Sequence, residues 1–361
     1  MANAGFTNEQ ILNSIRDSAS QNYQDGIPVA TANNQSEIGN LLLADNNIPS
    51  RNEFLDMLVN KFAKVKIASS RADNRLARFY RGAVPFGMTI QEIFVNQARN
   101  TVDDESRVID FEGDGQGLFD EHLAEVKALY YEINRSKQYC TTITRSMLKA
   151  AFANEGGLNN LINEIVNSLY VGNEQHEFEK GKETLSHYAG DGETIQGYAT
   201  ESVAKISAGD TRDTKRDKAE QIIETIRGKV LDLTFNSDKY NGAKIQTLNK
   251  MEDLVLFLHK DLAKYVDVYV KANAYNLDRI DWLSNVIYLD DFGDNPLMAD
   301  CVAILADEEF LNIYDYERTT TTFFNPKSLK TNTYYTVRQG YYCSPFKQAV
   351  AFIADDGIVA G

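Results

Sequence analysis

The sequence predicts an α+β protein, and three observations carry that prediction. Leu158, Leu161, Ile162, Ile165, Val166, Leu169 and Tyr170 repeat at the spacing of a single helix face. Residues 299–353 hold the runs ADCVAILADEEF, TTTTFFN, TYYTVRQGYYCSPF and QAVAFIA, whose β-branched and aromatic residues favour strands. The chain has 361 residues, of which 43% are apolar, so a sizeable core is available to one large domain or two ordinary ones.

Residues 1–50 are sparse in apolar groups and rich in Asn, Ser, Ala and Gln. Thr7-Asn8-Glu9-Gln10 has the form of a capping box and opens a short helix carrying Ile11, Leu12 and Ile15. Residues 19–40 are expected as an extended arm, because so few apolar groups bury too little to fold alone. Such an arm stays mobile or lies on a neighbour. Ser50-Arg51-Asn52-Glu53 is a second capping box, opening a helix with Phe54, Leu55, Leu58, Val59 and Phe62 on its apolar face. Strands then mix with a turn at Pro85 and Gly87.

Residues 125–144 are expected as a β-hairpin, with Val126, Tyr130, Ile133, Tyr139 and Ile143 in its strands and Asn134–Lys137 as its turn. The helical face at 158–170, if continued to His187, spans roughly 45 Å at about 1.5 Å per residue, with a kink expected at Gly172-Asn173. Residues 190–215 are polar and turn-rich, as a domain crossing would be. A helix near 214–228 follows, then a strand, helix and turn over 253–276, and a strand with an acidic turn over 279–294. The Thr319–Thr322 run favours a strand.

Charge excludes some functions. The net charge is −15, which argues against a dedicated nucleic-acid binder, since gripping phosphates needs a basic face. Locally, residues 51–81 hold eight Lys/Arg and three Asp/Glu, and residues 101–125 hold nine Asp/Glu and one Arg. The basic block 61–81 is expected to meet the acidic block 103–121, within one subunit or across a boundary. Cys140, Cys301 and Cys343 are far apart and odd in number, which fits a reducing compartment and no disulfide framework. No stretch approaches 18 apolar residues and no basic-then-apolar leader opens the sequence, so a soluble protein made in the cytoplasm, without a membrane partner, is expected.

The catalytic motifs are missing. There is no phosphate loop, nucleophile elbow or H-E-x-x-H helix, and Gly113-x-Gly115-x-Gly117 lacks dinucleotide-binding spacing. His122, His176, His187 and His259 have no His or Cys at ligand spacing, and His259 reads as a buried, hydrogen-bonded histidine. Asp110 to Glu121 matches the calcium-loop pattern except for Glu112 at the third position, but Gly117 replaces the usual hydrophobe, so it reads as an acidic turn. Asp290, Asp291 and Asp294 form a second acidic turn. Asp307-Glu308-Glu309 reads as carboxylates at a helix N-terminus. No catalytic, cofactor-binding or metal-binding residue is assigned, and the chain is expected not to be an enzyme.

Three stretches resemble major capsid proteins of tailed bacteriophages with the Hong Kong 97-type fold, above all those of small short-tailed phages of Gram-positive bacteria. They are DLVLFLHKDLAKYVDVYVKANAYN at 253–276, RIDWLSNVIYLDDFGD at 279–294, and residues 304–353, where a strand and short helix precede an F-N-P element and a closing S-P-F segment. AVPFGMTIQEIFVNQA at 83–98 adds to them. The resemblance implies an N-terminal arm at 1–50, an extended loop region with a β-hairpin at 51–145, and a peripheral domain with a long spine helix at 146–194. It further implies an axial domain at 195–310, and returning peripheral-domain strands with the C-terminus at 311–361. It implies a virion head protein that self-assembles, as hexamers and pentamers, into an icosahedral shell around DNA. Portal and scaffolding proteins are then partners, and packaged DNA is touched weakly and without sequence preference. An encapsulin-like compartment shell and a non-viral α+β binding module remain the alternatives.

Overall fold

The computed structural model describes residues 7–58, 74–84, 89–95, 126–153, 156–265, 285–328 and 330–355. In chain order its helices are α1 (Asn8–Ser18), α2 (Gln21–Gly26), α3 (Gln35–Leu43), α4 (Ile48–Met57), α5 (Arg145–Ala153), α6 (Gly157–Val166), α7 (Gly172–His187), α8 (Arg212–Leu233) and α9 (Lys260–Tyr265). The strands are β1 (Tyr80–Ala83), β2 (Ile90–Val95), β3 (Val126–Tyr131), β4 (Arg135–Ile143), β5 (Ala199–Ala204), β6 (Leu254–His259), β7 (Val286–Leu289), β8 (Cys301–Asp307), β9 (Leu311–Asn325), β10 (Lys330–Cys343) and β11 (Ala349–Asp355). Two compact units emerge: residues 1–86, 133–181 and 313–341 in the first, and 87–132, 182–312 and 342–361 in the second.

The first unit combines helices α1 to α6 with a sheet of order β1-β9-β10-β4. β1 runs parallel to β9, and β4 runs antiparallel to β10 from Ile143↔Thr331 to Arg135↔Gln339. The predicted helical face is buried: Leu158, Leu161, Ile162, Ile165, Leu169 and Tyr170 all lie in the core. α6 and α7 are joined by a π-helical turn, Asn167–Val171, so the irregularity expected at Gly172-Asn173 sits in the turn just before it.

The extended conformation expected at 19–40 is corrected: the segment contains α2 and most of α3, and most apolar groups of α1 to α3 point inward. Ile11, Leu12, Ile15, Tyr23, Ile27, Ile38 and Leu42 join the same core as Leu158 and Ile162. Polar side chains close the turns between these helices. The Asn13 amide accepts from the Ala30 N–H at 2.8 Å and donates to its carbonyl at 2.9 Å. Arg16 donates to the carbonyls of Ile27 and Gln24. The Thr7–Gln10 capping box forms as expected. The Ser50–Glu53 box does not, because α4 already begins at Ile48. Glu53 instead caps α2 from a distance, accepting from the Ser20 N–H at 2.6 Å and the Ser20 hydroxyl at 2.8 Å.

The hairpin expected at 125–144 is corrected as well. β3 pairs with β2, while β4 pairs with β10. The reason lies at Asn134, whose amide both accepts from the Tyr341 N–H and donates to its carbonyl. The would-be turn residues are thereby joined to β10.

The second unit centres on a sheet of order β5-β11-β8-β6-β7, in which β5 and β11, and β6 and β7, are parallel and the inner pairs antiparallel. β6 is buried at every position from Leu254 to Leu258, as a central strand covered on both faces must be. α8, capped by Thr211, lays Ile222, Ile226, Val230 and Leu233 on Leu254, Leu256, Leu258, Val350 and Phe352. Residues 190–215 are not simply a crossing, since they contain β5. The short helix expected after residue 304 is absent. Residues 308–310 form a turn between β8 and β9, in which the Phe310 N–H donates to the Asp307 carbonyl and the Glu309 N–H to the Asp307 carboxylate.

Candidate assembly surface

β2 and β3 form a two-stranded antiparallel ribbon belonging to the second unit. The strand sequences IQEIFV and VKALYY alternate in burial, and the register aligns the alternations. Gln91 faces Tyr130, Ile93 faces Ala128 and Val95 faces Val126, so these six side chains share one face. That face is open: Ile93, Val95, Val126 and Tyr130 are 55–65% exposed, as exposed as charged surface side chains commonly are. A run of apolar groups on one face carries information that a lone exposed Leu does not.

The opposite face is seated on the β10–β11 connection, Ser344-Pro345-Phe346. Phe94 stacks on Phe346 with centroids 5.7 Å apart, and Tyr131 on Tyr342 at 4.3 Å. Glu92 lies among them. One of its carboxylate oxygens accepts from the Tyr131 hydroxyl at 2.5 Å and the other from the Ser344 hydroxyl at 2.6 Å. Burial first, then the Glu92 carboxylate, pushes the Tyr131 hydroxyl well above its ordinary value. Lys127 donates to the Ala243 carbonyl at 3.1 Å.

The residues weighed for chemistry are dispersed. His176 stacks on Tyr139 and exchanges a hydrogen bond with its hydroxyl, and His187 lies exposed near Glu183 and Asp191. His259 is half-buried and accepts from the Asp261 N–H. Asp290 and Asp291 are both held by Lys182, at 2.9 and 3.0 Å. Although burial opposes it, the Lys182 hydrogen bond keeps the Asp290 carboxyl below its usual range. The acidic turn is thus a staple for α7. Asp307 ends a strand rather than opening a helix, and burial raises its carboxyl. The three thiols are free. Among the described residues no group of three His, Cys, Asp or Glu is placed to hold a metal ion. Asp110 to Glu121, Gly113 to Gly117, His122, the Pro85–Gly87 turn and most of both charge blocks lie outside the described residues.

One cluster was invisible in the sequence. In the first unit Arg318 donates to Asp315, to Glu177 at 2.8 Å and to the Tyr335 hydroxyl at 2.9 Å. The Gln339 amide donates to Glu177 and Asp315, and Arg135 donates to Gln339 and Asn173. Burial works against the Arg318 charge, yet Glu177 and Asp315 hold the guanidinium above its ordinary range. Burial pushes the Tyr335 hydroxyl up to about 12. Every member has partners, the condition under which a buried polar network fixes one packing.

Among the described residues no reacting centre assembles from these groups, whereas the ribbon presents an exposed apolar face. Comparison with known proteins gives the family. A family model described as Phi29-like phage major capsid protein matches residues 12–353. The chain belongs to that family. It is 32% identical over 352 residues to the major capsid protein of Bacillus phage B103, covering 97% of this chain and 74% of that protein. It is 30% identical over 348 residues to the major capsid protein of Bacillus phage PZA, covering 96% and 73%. Two solved structures share its fold. One is that of head fiber and inner core protein gp22 of native bacteriophage P68, with TM-score 0.58 and 14% identity over 78% of this chain and 85% of that one. The other is the capsid structure of Staphylococcus phage Andhra, with TM-score 0.56 and 13% identity over 78% and 84%. The Phi29-like capsid family is a family of structural shell proteins, and the site of action is the virion shell. No helix among the described residues is long and apolar enough to cross a membrane.

Proposed function

We propose that copies of this capsid protein, grouped as hexamers and pentamers, close into an icosahedral shell around the phage DNA, and that the outer face of the β2–β3 ribbon is a main contact between neighbours. One observation carries the contact: the register that gathers Ile93, Val95, Val126 and Tyr130 on one open face. Obligate interfaces of this kind commonly bury more than about 2,000 Å² and resemble a core cut in half. In this reading the first unit is the peripheral domain, with the α6–α7 helix as its spine. The β5-β11-β8-β6-β7 sheet with α8 is the axial domain, and the ribbon is the extended loop.

The protein performs no reaction of its own. Supporting this, Glu92, Glu177, Asp290, Asp307 and Asp315 are each tied into structural hydrogen bonds. Synthesis in the host cytoplasm accords with three free thiols. Portal and scaffolding proteins are partners during assembly. A net charge of −15 limits the subunit to weak, sequence-independent contact with DNA.

Ile93→Asp and Val126→Asp test the contact. Sedimentation and negative-stain microscopy should show closed particles from the parent and only small species from the variants, with unchanged circular dichroism. Particles of normal yield from both variants would overturn it. An anisotropy titration near physiological salt tests the DNA statement, which submicromolar, sequence-selective binding would contradict.

A further inference from the structure

We propose that Glu92 is a register-setting residue that positions the β2–β3 ribbon for assembly; the proposal rests on the reading of that ribbon as an assembly surface. Tyr342, Ser344 and Phe346 are alternate residues of the segment leaving β10, and they meet Tyr131, Glu92 and Phe94 in that order. Tyr131 pairs with Ile90, so the ribbon residues concerned occupy the rungs of 90, 92 and 94. The end of β10 at Tyr342 and the turn that follows it, in which the Lys347 N–H donates to the Ser344 carbonyl, therefore lie along three successive inner rungs of the ribbon.

The outer two rungs are aromatic stacks. Stacked rings supply area but little direction, and a slip of one rung would still offer a ring or an aliphatic chain to each ring. The middle rung is different. Glu92 is the one carboxylate on the inner face of the ribbon, and both its oxygens are taken, at 2.5 and 2.6 Å, by hydroxyls on either side of it. Ser344 is itself fixed, since its hydroxyl also accepts from the Phe346 N–H and its own N–H donates to the Phe310 carbonyl. A slipped ribbon would set the carboxylate against Phe346 or Tyr342 and forfeit the Ser344 bond. A partly buried polar group that is satisfied in a single alignment is the best-attested device for specifying register. Glu92 touches no neighbouring copy in this scheme. It acts by fixing where Ile93, Val95, Val126 and Tyr130 stand.

The test uses the full-length chain kept dilute enough to remain unassembled. Glu92→Ala, Ser344→Ala and Glu92→Gln are compared with the outer-face variant Ile93→Asp by hydrogen exchange and by particle yield. Hydrogen bonds to a carboxylate are strong enough that Glu92→Ala should speed exchange of the amides of 90–95 and 126–131 by about tenfold or more. Strands β8 and β11 should keep their protection, and closed particles should fall in parallel with the loss in the ribbon. Ser344→Ala should act in the same direction and less, and Glu92→Gln, which keeps an acceptor, should recover part of both readouts. Parent-like ribbon exchange in Glu92→Ala and Ser344→Ala would overturn the proposal. Loss of protection throughout the sheet in Ser344→Ala would also overturn it, because the bond would then support the fold and not the register. The two readings fail separately. Normal assembly by Ile93→Asp sinks the assembly surface. A block in Ile93→Asp with normal assembly and intact ribbon protection in Glu92→Ala sinks only the role of Glu92.

Discussion

Arg318→Met is the sharpest test of how the first unit is held together. The Arg318 side chain is 19% exposed, and its partners Glu177 and Asp315 are 7% and 6% exposed. The substitution keeps the apolar stem and deletes two contacts to Asp315 at 2.5 and 3.0 Å, one to Glu177 at 2.8 Å and one to the Tyr335 hydroxyl at 2.9 Å. What remains is a pair of buried carboxylates bonded by neutral amides, Gln339 at 3.0 and 2.8 Å and Asn173 to Glu177 at 2.7 Å. Removing one partner from a buried ion group costs about 3–5 kcal/mol, because the charge left behind stays desolvated. For a unit of this size that lowers the melting temperature by about 6–20 °C. Denaturant titration and scanning calorimetry of the unassembled chain read both quantities. Adding Asp315→Asn to Arg318→Met should return part of the loss, since one of the two stranded charges is gone. A loss under about 1 kcal/mol, the worth of an exposed ion pair, would refute the reasoning, as would strict additivity of the two substitutions.

Three further outcomes are expected. Burial raises the Asp307 carboxyl, so its stabilising contribution is full below the unfolded value near about 3.9 and is lost as pH rises through the folded value. Asp307→Asn should therefore gain stability over the parent at pH 7–8, with the difference vanishing below about pH 4 in denaturant titrations. Deleting residues 1–43 removes Ile11, Leu12, Ile15, Tyr23, Ile27, Ile38, Leu42 and Leu43 from the core, about 12–24 kcal/mol of burial, and should give insoluble chain in a solubility assay rather than soluble non-assembling subunits. Gly197→Ala would bring a Cβ to 1.7 Å from the Tyr188 carbonyl oxygen, so it should cost more than the roughly 1–3 kcal/mol of ordinary overpacking, read as a drop in melting temperature.

Several local signals in the sequence match the structure, although the Ser50–Glu53 box and the 125–144 hairpin do not. The Thr7–Gln10 box, the face from Leu158 to Tyr170, the apolar run of β6 and the Thr319–Thr322 strand each depend on residues close in the chain. The helices within 19–40 are not legible from average hydrophobic content. Ten well-placed apolar groups between Ile11 and Leu43, with Asn13, Arg16 and Glu53 closing the turns, suffice when another part of the chain completes the core. The ribbon was half legible. The alternation in IQEIFV and VKALYY is plain, but the expected hairpin places the partner of Val126 and Tyr130 nearby in sequence, whereas they pair with Val95 and Gln91. The Arg318 cluster draws on residues 135, 173, 177, 315, 318, 335 and 339, and charge alone does not say which of the many Arg and Glu residues meet. Glu92 had no signal beyond being a carboxylate on the inner side of an alternating strand.

A reconstruction of the assembled particle by electron cryo-microscopy bears most directly on the central claim. Ile93, Val95, Val126 and Tyr130 are expected to lie buried against the surface of another copy in the closed shell. A shell in which those four side chains face solvent would contradict it.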